Sequence, residues 1–389
     1  VDKKIINYLI KQATNNYPEL SDLLFIPYEP FEILLYGKVH RLNIIDQLGR
    51  LSPFQVETMA MALIENRRRL LKDLVTTGSC DLSYQVDNIR LRVNIFSQRT
   101  GYAIVMRKLP EKVPTIEEMD LPMVFKEISK ENAGIVLFAG PTGSGKSTSI
   151  AAILEEINQT RPAHIITLED PIEFKFISKK ASFNQRELGA DFNEFAMALR
   201  AALREAPHVI MVGEIRDPDT LKVALSAAET GHLVISTIHA AYSGQAIHRM
   251  IDMIGKAEEQ FVRSRLAGSL RWIVCQKLVP KIDGSRLAVF EILKNNLRTQ
   301  DAILGQKSAP TFYDILVKGE AFGMCTFDQG LIAAYEEGLI DEETAISHAT
   351  FRSEVRKGID QIKAKRGEKT SDIEGLTVEE MEREKYKFI

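Results

Sequence analysis

Short apolar runs bounded by glycine or charged residues punctuate the chain from residue 134 onward: GIVLFAG (134–140), HIITLED (164–170), HVIMVGE (208–214), HLVISTIH (232–239) and LAVFEIL (287–293). Helical stretches alternate with them. In FNEFAMALRAALRE (192–205), Phe192, Phe195, Ala196, Leu199 and Leu203 recur at helix spacing and read as core packing. This rhythm predicts a mostly parallel sheet covered by helices, an α/β fold. Before residue 108 the pattern is different. A leading amphipathic helix (VDKKIINYLIKQ), short strands (FEILLYG, LSYQV, RLRVNIF, YAIVMRK) and a charged helix around ENRRRLLKDL suggest a small α+β domain.

Between the two patterns, LPEKVPTIEEMDLP (109–122) holds three prolines and breaks both periodicities, as an interdomain linker does. The expected organisation is an N-terminal domain over 1–108, this linker, and a larger domain over 123–355. The last part of that domain reads as helical (FDQGLIAAYEEG, DEETAISHATF), and a charged, loosely ordered tail is expected over 356–389.

At 389 residues and 45% hydrophobic content, each domain can bury its own core. The balance of 50 basic against 53 acidic residues, a formal charge of -3, gives no global attraction for a polyanion, so nucleic acid is not an expected partner. Cys80, Cys275 and Cys325 lie far apart, without the spacing of a disulfide framework or a zinc site, and a reducing compartment fits them. The N-terminus lacks the apolar core and cleavage site of a signal peptide, although the absence of an initiator Met leaves room for upstream residues. No apolar stretch approaches the roughly 20 residues that cross a bilayer, so no direct membrane span is expected.

The strongest chemical signal is GPTGSGKST (140–148), which satisfies G-x-x-x-x-G-K-[ST] between an apolar strand and a helical run. Gly140, Pro141, Thr142, Gly143, Ser144 and Gly145 form a loop whose backbone N–H groups can wrap phosphates, with the positive end of a helix behind them. Lys146 then reaches the β- and γ-phosphates, Ser147 ligates Mg²⁺, and Thr148 packs beneath the nucleotide. The expected cofactors are ATP and Mg²⁺. The alternative, an ordinary glycine turn, leaves the flanking strand and helix unexplained.

Such a loop needs an acid, and two strand ends offer one: TLEDPIE (167–173) and MVGEIRD (211–217). In an open α/β sheet, ligands collect beyond the carboxyl ends of the strands, where Glu169, Asp170, Glu173 and Glu214 should project. The alternative is that acids end strands because loops are solvated. Gly213 stands where an Asp often holds the metal, which makes Glu214 the better candidate for polarising water and leaves Glu173 to tune the metal shell, directly or through water. Spacing does not rank the two. His232 and His239 fall at the two ends of one strand. Two readings stand side by side: one of them senses the γ-phosphate, or both are strand-end residues satisfied by backbone.

Taken in order, GPTGSGKST, TLEDPIEF, NQRELG, ALRAALREAPHVIMVGEIRD and ETGHLVISTIHA resemble the type IV pilus retraction ATPases of the PilT and PilU kind, a branch of the type II and type IV secretion ATPases. The likeness runs from SDLLF near residue 21 to GMCTFDQGL near 331. It implies an N-terminal PAS-like domain joined to a RecA-like P-loop ATPase domain in a homo-hexameric ring. It further implies a cytoplasmic motor at the inner membrane, acting on a polytopic platform protein and in some systems working beside a second pilus ATPase. By the same resemblance Lys146 and Ser147 stand in the Walker A box, Glu173 closes the acidic box, Glu214 is the Walker B glutamate, and His232 and His239 form the histidine box. The block RLRVNIFSQRTGYAIVMRK makes Arg92, Arg99 and Arg107 the candidates to reach a nucleotide in the ring. Two segments depart from the family: LRTQDAILG replaces a helix reading AIRNLIRE, and SDLLF replaces an SDLHL-type block. The reading is therefore ATP hydrolysis powering pilus retraction, with pilus assembly or secretion as the alternative. A RecA-like nucleic-acid motor and a regulatory ATP-binding module are remoter.

Overall fold

The computed structural model describes residues 3–42 and 49–368. They divide into two compact units: residues up to Pro114 with Thr167–Lys179 and Phe183–Phe195, and Thr115–Ile166 with Lys180–Ser182 and the residues from Ala196 on. The expected tail boundary at 356 falls inside a helix, Arg352–Lys365, whose Val355, Ile359 and Ile362 are buried at helix spacing. The remainder of the expected tail, 369–389, lies outside the described residues. Residues 109–122 carry no strand or helix.

The first unit opens with α1 (Lys3–Asn16), in which Ile6, Leu9, Ile10 and Ala13 form one buried stripe. Strands β1 (Leu20–Phe25), β2 (Glu32–Leu35) and β3 (Lys38–Arg41) follow. Helices α2 (Pro53–Ile64) and α3 (Arg68–Thr77) come next, then β4 (Ser79–Val86), β5 (Ile89–Gln98) and β6 (Gly101–Lys108). A capping box of Ser52 with Gln55, and Pro53 at the first position, start α2. The six strands form one sheet in the order β3-β2-β1-β6-β5-β4. Strict alternation along β5 sends Leu91, Val93 and Ile95 into the core and leaves Arg90, Arg92 and Asn94 on the other face.

The second sheet has seven strands: β7 (Gly134–Ala139), β8 (His164–Glu169), β9 (Ser182–Glu187), β10 (Val209–Val212), β11 (Leu233–Ile238), β12 (Leu270–Pro280) and β13 (Arg286–Lys294). Their order is β13-β12-β7-β11-β10-β8-β9. Strands β10, β11, β7 and β12 run parallel in sequence of pairing, and β13 closes the edge antiparallel, so the sheet is mixed. Every residue of β7, β10 and β11 is buried, as in a sheet covered on both faces. Around it lie α4 (Val124–Ile128), α5 (Lys146–Thr160), α6 (Phe195–Ala202), α7 (Pro218–Glu229), α8 (Ser243–Ile254) and α9 (Glu259–Ser269). Five α-helices follow among the described residues: α10 (Leu297–Leu304), α11 (Phe312–Val317), α12 (Phe327–Glu336), α13 (Glu342–His348) and α14 (Arg352–Lys365).

Two strands escape the hydrophobic pattern. β9 reads SFNQRE and is too polar to register as a strand, and β12 is interrupted by Gln276 and Lys277. Helix α6 is shorter than the expected 192–205 stretch: after Ala202 the chain tightens into turns in which Arg204 and Glu205 donate to the carbonyls of Ala201 and Ala202, and Ala206 follows at φ 52°.

Candidate functional site

The nine residues from Gly140 to Thr148 leave the carboxyl end of β7 and enter α5 at Lys146. Gly145 stands in the left-handed region at φ 89°, directly before the first helical residue. A Cβ there would lie 2.8 Å from Nε2 of Gln276, whose side chain would have to shift. Gly140 is tighter still: a Cβ would meet the Gln276 carbonyl oxygen at 2.5 Å and Ser144 Oγ at 2.7 Å. The loop is thus laid against β12, and only glycine lets the backbone approach that closely. Lys146 Nζ donates to the carbonyls of Gly140 (2.9 Å) and Pro141 (2.8 Å), which arches the loop over its own lysine.

Strand β11 lies between β7 and β10 and couples their ends. Ser236 Oγ donates to the Val212 carbonyl (2.8 Å) and Thr237 Oγ1 to that of Gly213 (2.7 Å), while the N–H of Ile215 returns a bond to Thr237 (3.0 Å). These bonds hold Glu214 at the carboxyl end of the sheet. Its Oε1 pairs with Arg216, and Nε2 of His239 lies 3.8 Å from its Oε2. That Oε2 is buried and accepts no hydrogen bond among the described residues. Asp217, the residue after Arg216, is spent on capping α7 through the N–H and hydroxyl of Thr220.

A cleft of about 630 Å³ opens beside the loop. Residues 140–144 face it together with His239, Arg249, Lys277, Arg286 and His348. It is cation-rich, as a polyphosphate site requires. Arg249 also donates to the His239 carbonyl and so braces that residue. Lys277, Arg249, Arg286 and the supporting Gln276 escaped the sequence reading because they come from α8, β12 and β13 and share no local motif.

His232 is placed differently from the expectation. Strands β11 and β7 run parallel in register, Leu233 beside Gly134 and Ile238 beside Ala139, so His232 stands at the amino end of the sheet and the phosphate loop at the carboxyl end. The strand separates them by roughly 20 Å at 3.3 Å per residue. Its Nδ1 lies 3.0 Å from the Ala227 carbonyl and 3.2 Å from Thr230 Oγ1, closing the last turn of α7. His232 is thus a backbone-satisfied residue at the amino end of its strand, while His239 lines the cleft beside the phosphate loop.

Within the first unit, Glu169 is buried at the end of β8. Thr167 Oγ1 (2.6 Å) and Gln185 Nε2 (3.1 Å) donate to its Oε1. Burial pushes its carboxyl up to about 7, against the opposing pull of those two donors and the Glu173 N–H. Glu173, four residues on, is half-buried in the loop that follows. On the outer face of the N-terminal sheet, Arg92 and Arg107 stand directly opposite each other on β5 and β6. Arg107 holds the buried Asp22 (2.8 Å) and Arg92 lies 3.7 Å from Asp81. Arg99 is exposed in the turn between the two strands, about 20 Å along the strand from Arg92.

The donor set fits a nucleotide with a divalent cation. A glycine loop laid tightly against β12, a lysine at a helix start, a serine after it and a buried carboxylate oxygen that accepts no hydrogen bond among the described residues are brought to one end of one sheet. This arrangement defines a P-loop nucleotide-binding protein.

Comparison with known proteins places it further. Residues 4–338 match the family described as Type II/IV secretion system protein. Over 326 residues, 84% of this chain and 93% of the other, it is 41% identical to the type IV pilus retraction ATPase PilT of Pseudomonas aeruginosa. It is also 41% identical over 315 residues to a twitching motility protein of Neisseria gonorrhoeae, covering 80% and 82% of the two chains. A crystal structure of the pilus retraction motor PilT with bound ADP superposes with a TM-score of 0.81 at 37% identity, covering 90% of this chain and 99% of that one. The chain belongs to the Type II/IV secretion system protein family and is one of its ATPases. The family resemblance carried by the five motif blocks is therefore borne out, as is the α/β fold. Among the described residues no helix is long and apolar enough to cross a membrane.

Proposed function

We propose that this chain is an ATP-hydrolysing motor that powers type IV pilus retraction, and so twitching motility. The observation that carries the chemistry is the carboxylate of Glu214, half-buried and held beyond the strand next but one to the phosphate loop's, with its buried Oε2 accepting no hydrogen bond among the described residues. The relatives' names carry the direction of force.

ATP binds with its phosphates in the loop 140–148, where backbone N–H groups, the start of α5 and Lys146 meet the β- and γ-phosphates. Ser147 would hold Mg²⁺ and Glu173 would tune its shell, and the bound ion would supply neutralisation of the phosphate charge. Glu214 Oε2 accepts a hydrogen bond from the attacking water and orients it, and His239 senses the γ-phosphate beside it. Arg92, Arg99 and Arg107 bring positive charge to a nucleotide in the assembled ring, the arginine-finger role. The N-terminal unit is PAS-like and the second RecA-like, and hydrolysis changes the angle between them. Six copies form a closed ring in which each site biases its neighbour. The ring works on the cytoplasmic face of the inner membrane, against a polytopic platform protein and, where one is present, beside a second pilus ATPase.

Pilus assembly or secretion is the second reading, favoured by α10, which carries LRTQDAIL in place of the charged AIRNLIRE-type helix of retraction motors. Phosphate release from ATP by the purified chain, with and without Mg²⁺ and with Glu214→Gln, tests the chemistry. Mg²⁺-dependent turnover lost in the variant is the expected result; unchanged turnover removes Glu214 from its role.

A further inference from the structure

Arg90 opens the block RLRVNIFSQRTGYAIVMRK but is not among its arginines assigned to the nucleotide, and alternation along β5 places it on the polar face of its sheet. A strand arginine there is ordinarily a solvated surface charge. Instead its guanidinium is half-buried and reaches 82 and 83 positions along the chain. Nη2 donates to the Ile172 carbonyl at 2.5 Å and Nη1 to the Glu173 carbonyl at 3.0 Å. The backbone of Ile172 is also held through its other polar group, because the Ile172 N–H donates to Glu187 Oε2 at 3.2 Å. That oxygen is itself anchored by Ser83 Oγ of β4 at 2.7 Å. Further along, Gln185 accepts from the Phe176 N–H (2.9 Å) and donates to the Phe174 carbonyl (2.8 Å).

Gln185 and Glu187 lie on β9, close in sequence to the loop they hold. Arg90 comes from the N-terminal sheet, and it alone of these groups grasps the carbonyl of Glu173 itself. We propose that Arg90 is a positioning residue for ATP hydrolysis: its two-pronged hold on the Ile172 and Glu173 carbonyls sets where the Glu173 carboxylate points. The inference rests on the assignment of Glu173 to the metal shell. A planar fork can satisfy two successive carbonyls at once, and an ammonium cannot reproduce that geometry. Small displacements of a positioned group are costly to rate, because a shift of about 1 Å can cost on the order of a hundredfold.

The test uses the purified full chain as wild type, Arg90→Lys, Glu173→Gln and the double variant. Thermal unfolding, affinity for a fluorescent ADP analogue, kcat, KM for ATP and the Mg²⁺ concentration giving half-maximal rate are measured on each. Arg90→Lys should stay folded, bind the analogue within about twofold of wild type, lose about tenfold or more in kcat and need more Mg²⁺. A purely structural role would not move the Mg²⁺ requirement. The double variant should be no slower than Glu173→Gln, since both changes act through one group. If Arg90→Lys does not fold, Arg90→Gln, which keeps one donor, takes its place under the same expectations. Wild-type kcat and Mg²⁺ dependence in the Arg90 variant, with Glu173→Gln impaired, overturns the proposal alone. Losses that multiply in the double variant overturn it too. Wild-type turnover in Glu173→Gln instead removes the assignment of Glu173 on which the proposal stands.

Discussion

Ser149 Oγ donates to Oε1 of Gln276 at 2.9 Å, across 127 positions of sequence, and both residues are buried. The bond ties the first turn of α5 to β12 immediately beside the phosphate loop. Gln276 sits one residue past the last pairing of β12 with β7, which ends at Cys275 and Ala139, so its backbone and amide form the floor under Gly140 and Gly145.

Replacing Gln276 with Ala should therefore act on stability and binding together. It leaves the Ser149 hydroxyl buried without its acceptor, a cost of about 1–3 kcal/mol, and removes the loop's support. Melting curves should shift downward and affinity for ADP should weaken. Unchanged affinity at a lowered melting temperature would make the floor structural only.

Glu214→Gln is expected to keep nucleotide affinity and lose about a hundredfold or more in kcat, the range in which a positioned acid–base group contributes. Stopped-assay phosphate release alongside equilibrium binding separates the two. Loss of binding with proportionate loss of rate would count against a role in orienting water.

Glu169 should make stability depend on pH in a direction opposite to a paired carboxylate. Its folded-state value is raised, from 4.5 to about 7, so ionisation is resisted in the folded chain and the associated destabilisation grows as pH rises from 4.5 through 7. Gln keeps the acceptor for Thr167 and Gln185 without the charge. Without nucleotide or Mg²⁺, the melting temperature of Glu169→Gln relative to wild type should be higher at pH 8 than at pH 5. An equal difference at both values would show that the carboxyl is not held neutral by burial.

His232→Ala should lower stability by about 1 kcal/mol through the lost contact with Ala227 and leave nucleotide affinity unchanged. Paired unfolding and ADP titration decide it, since weakened affinity would return His232 to the binding machinery.

The phosphate loop was legible because its residues are contiguous and its glycines, lysine and serine each have a local reason to be there. Glu214 was legible because it ends an apolar run. The difference in placement between the two histidines follows from the strand itself: a parallel strand has only one end near the loop that follows its neighbour, and His232 precedes its strand where His239 follows. Gln276 and Arg90 had no such signal. Each is an ordinary polar residue in a strand, and its importance arises only when a segment more than 80 positions away folds against it. The polar strand β9 was illegible because its residues are spent on hydrogen bonds to the acidic loop and not on burial.

The direction of force is the central claim, and a count of surface filaments on the source bacterium carrying Lys146→Ala tests it most directly. The variant removes the ammonium from the phosphate loop while leaving the carbon skeleton of the fold in place. A retraction motor predicts more pili than in the parent, together with lost twitching; bald cells would contradict it and make the chain an assembly or secretion ATPase.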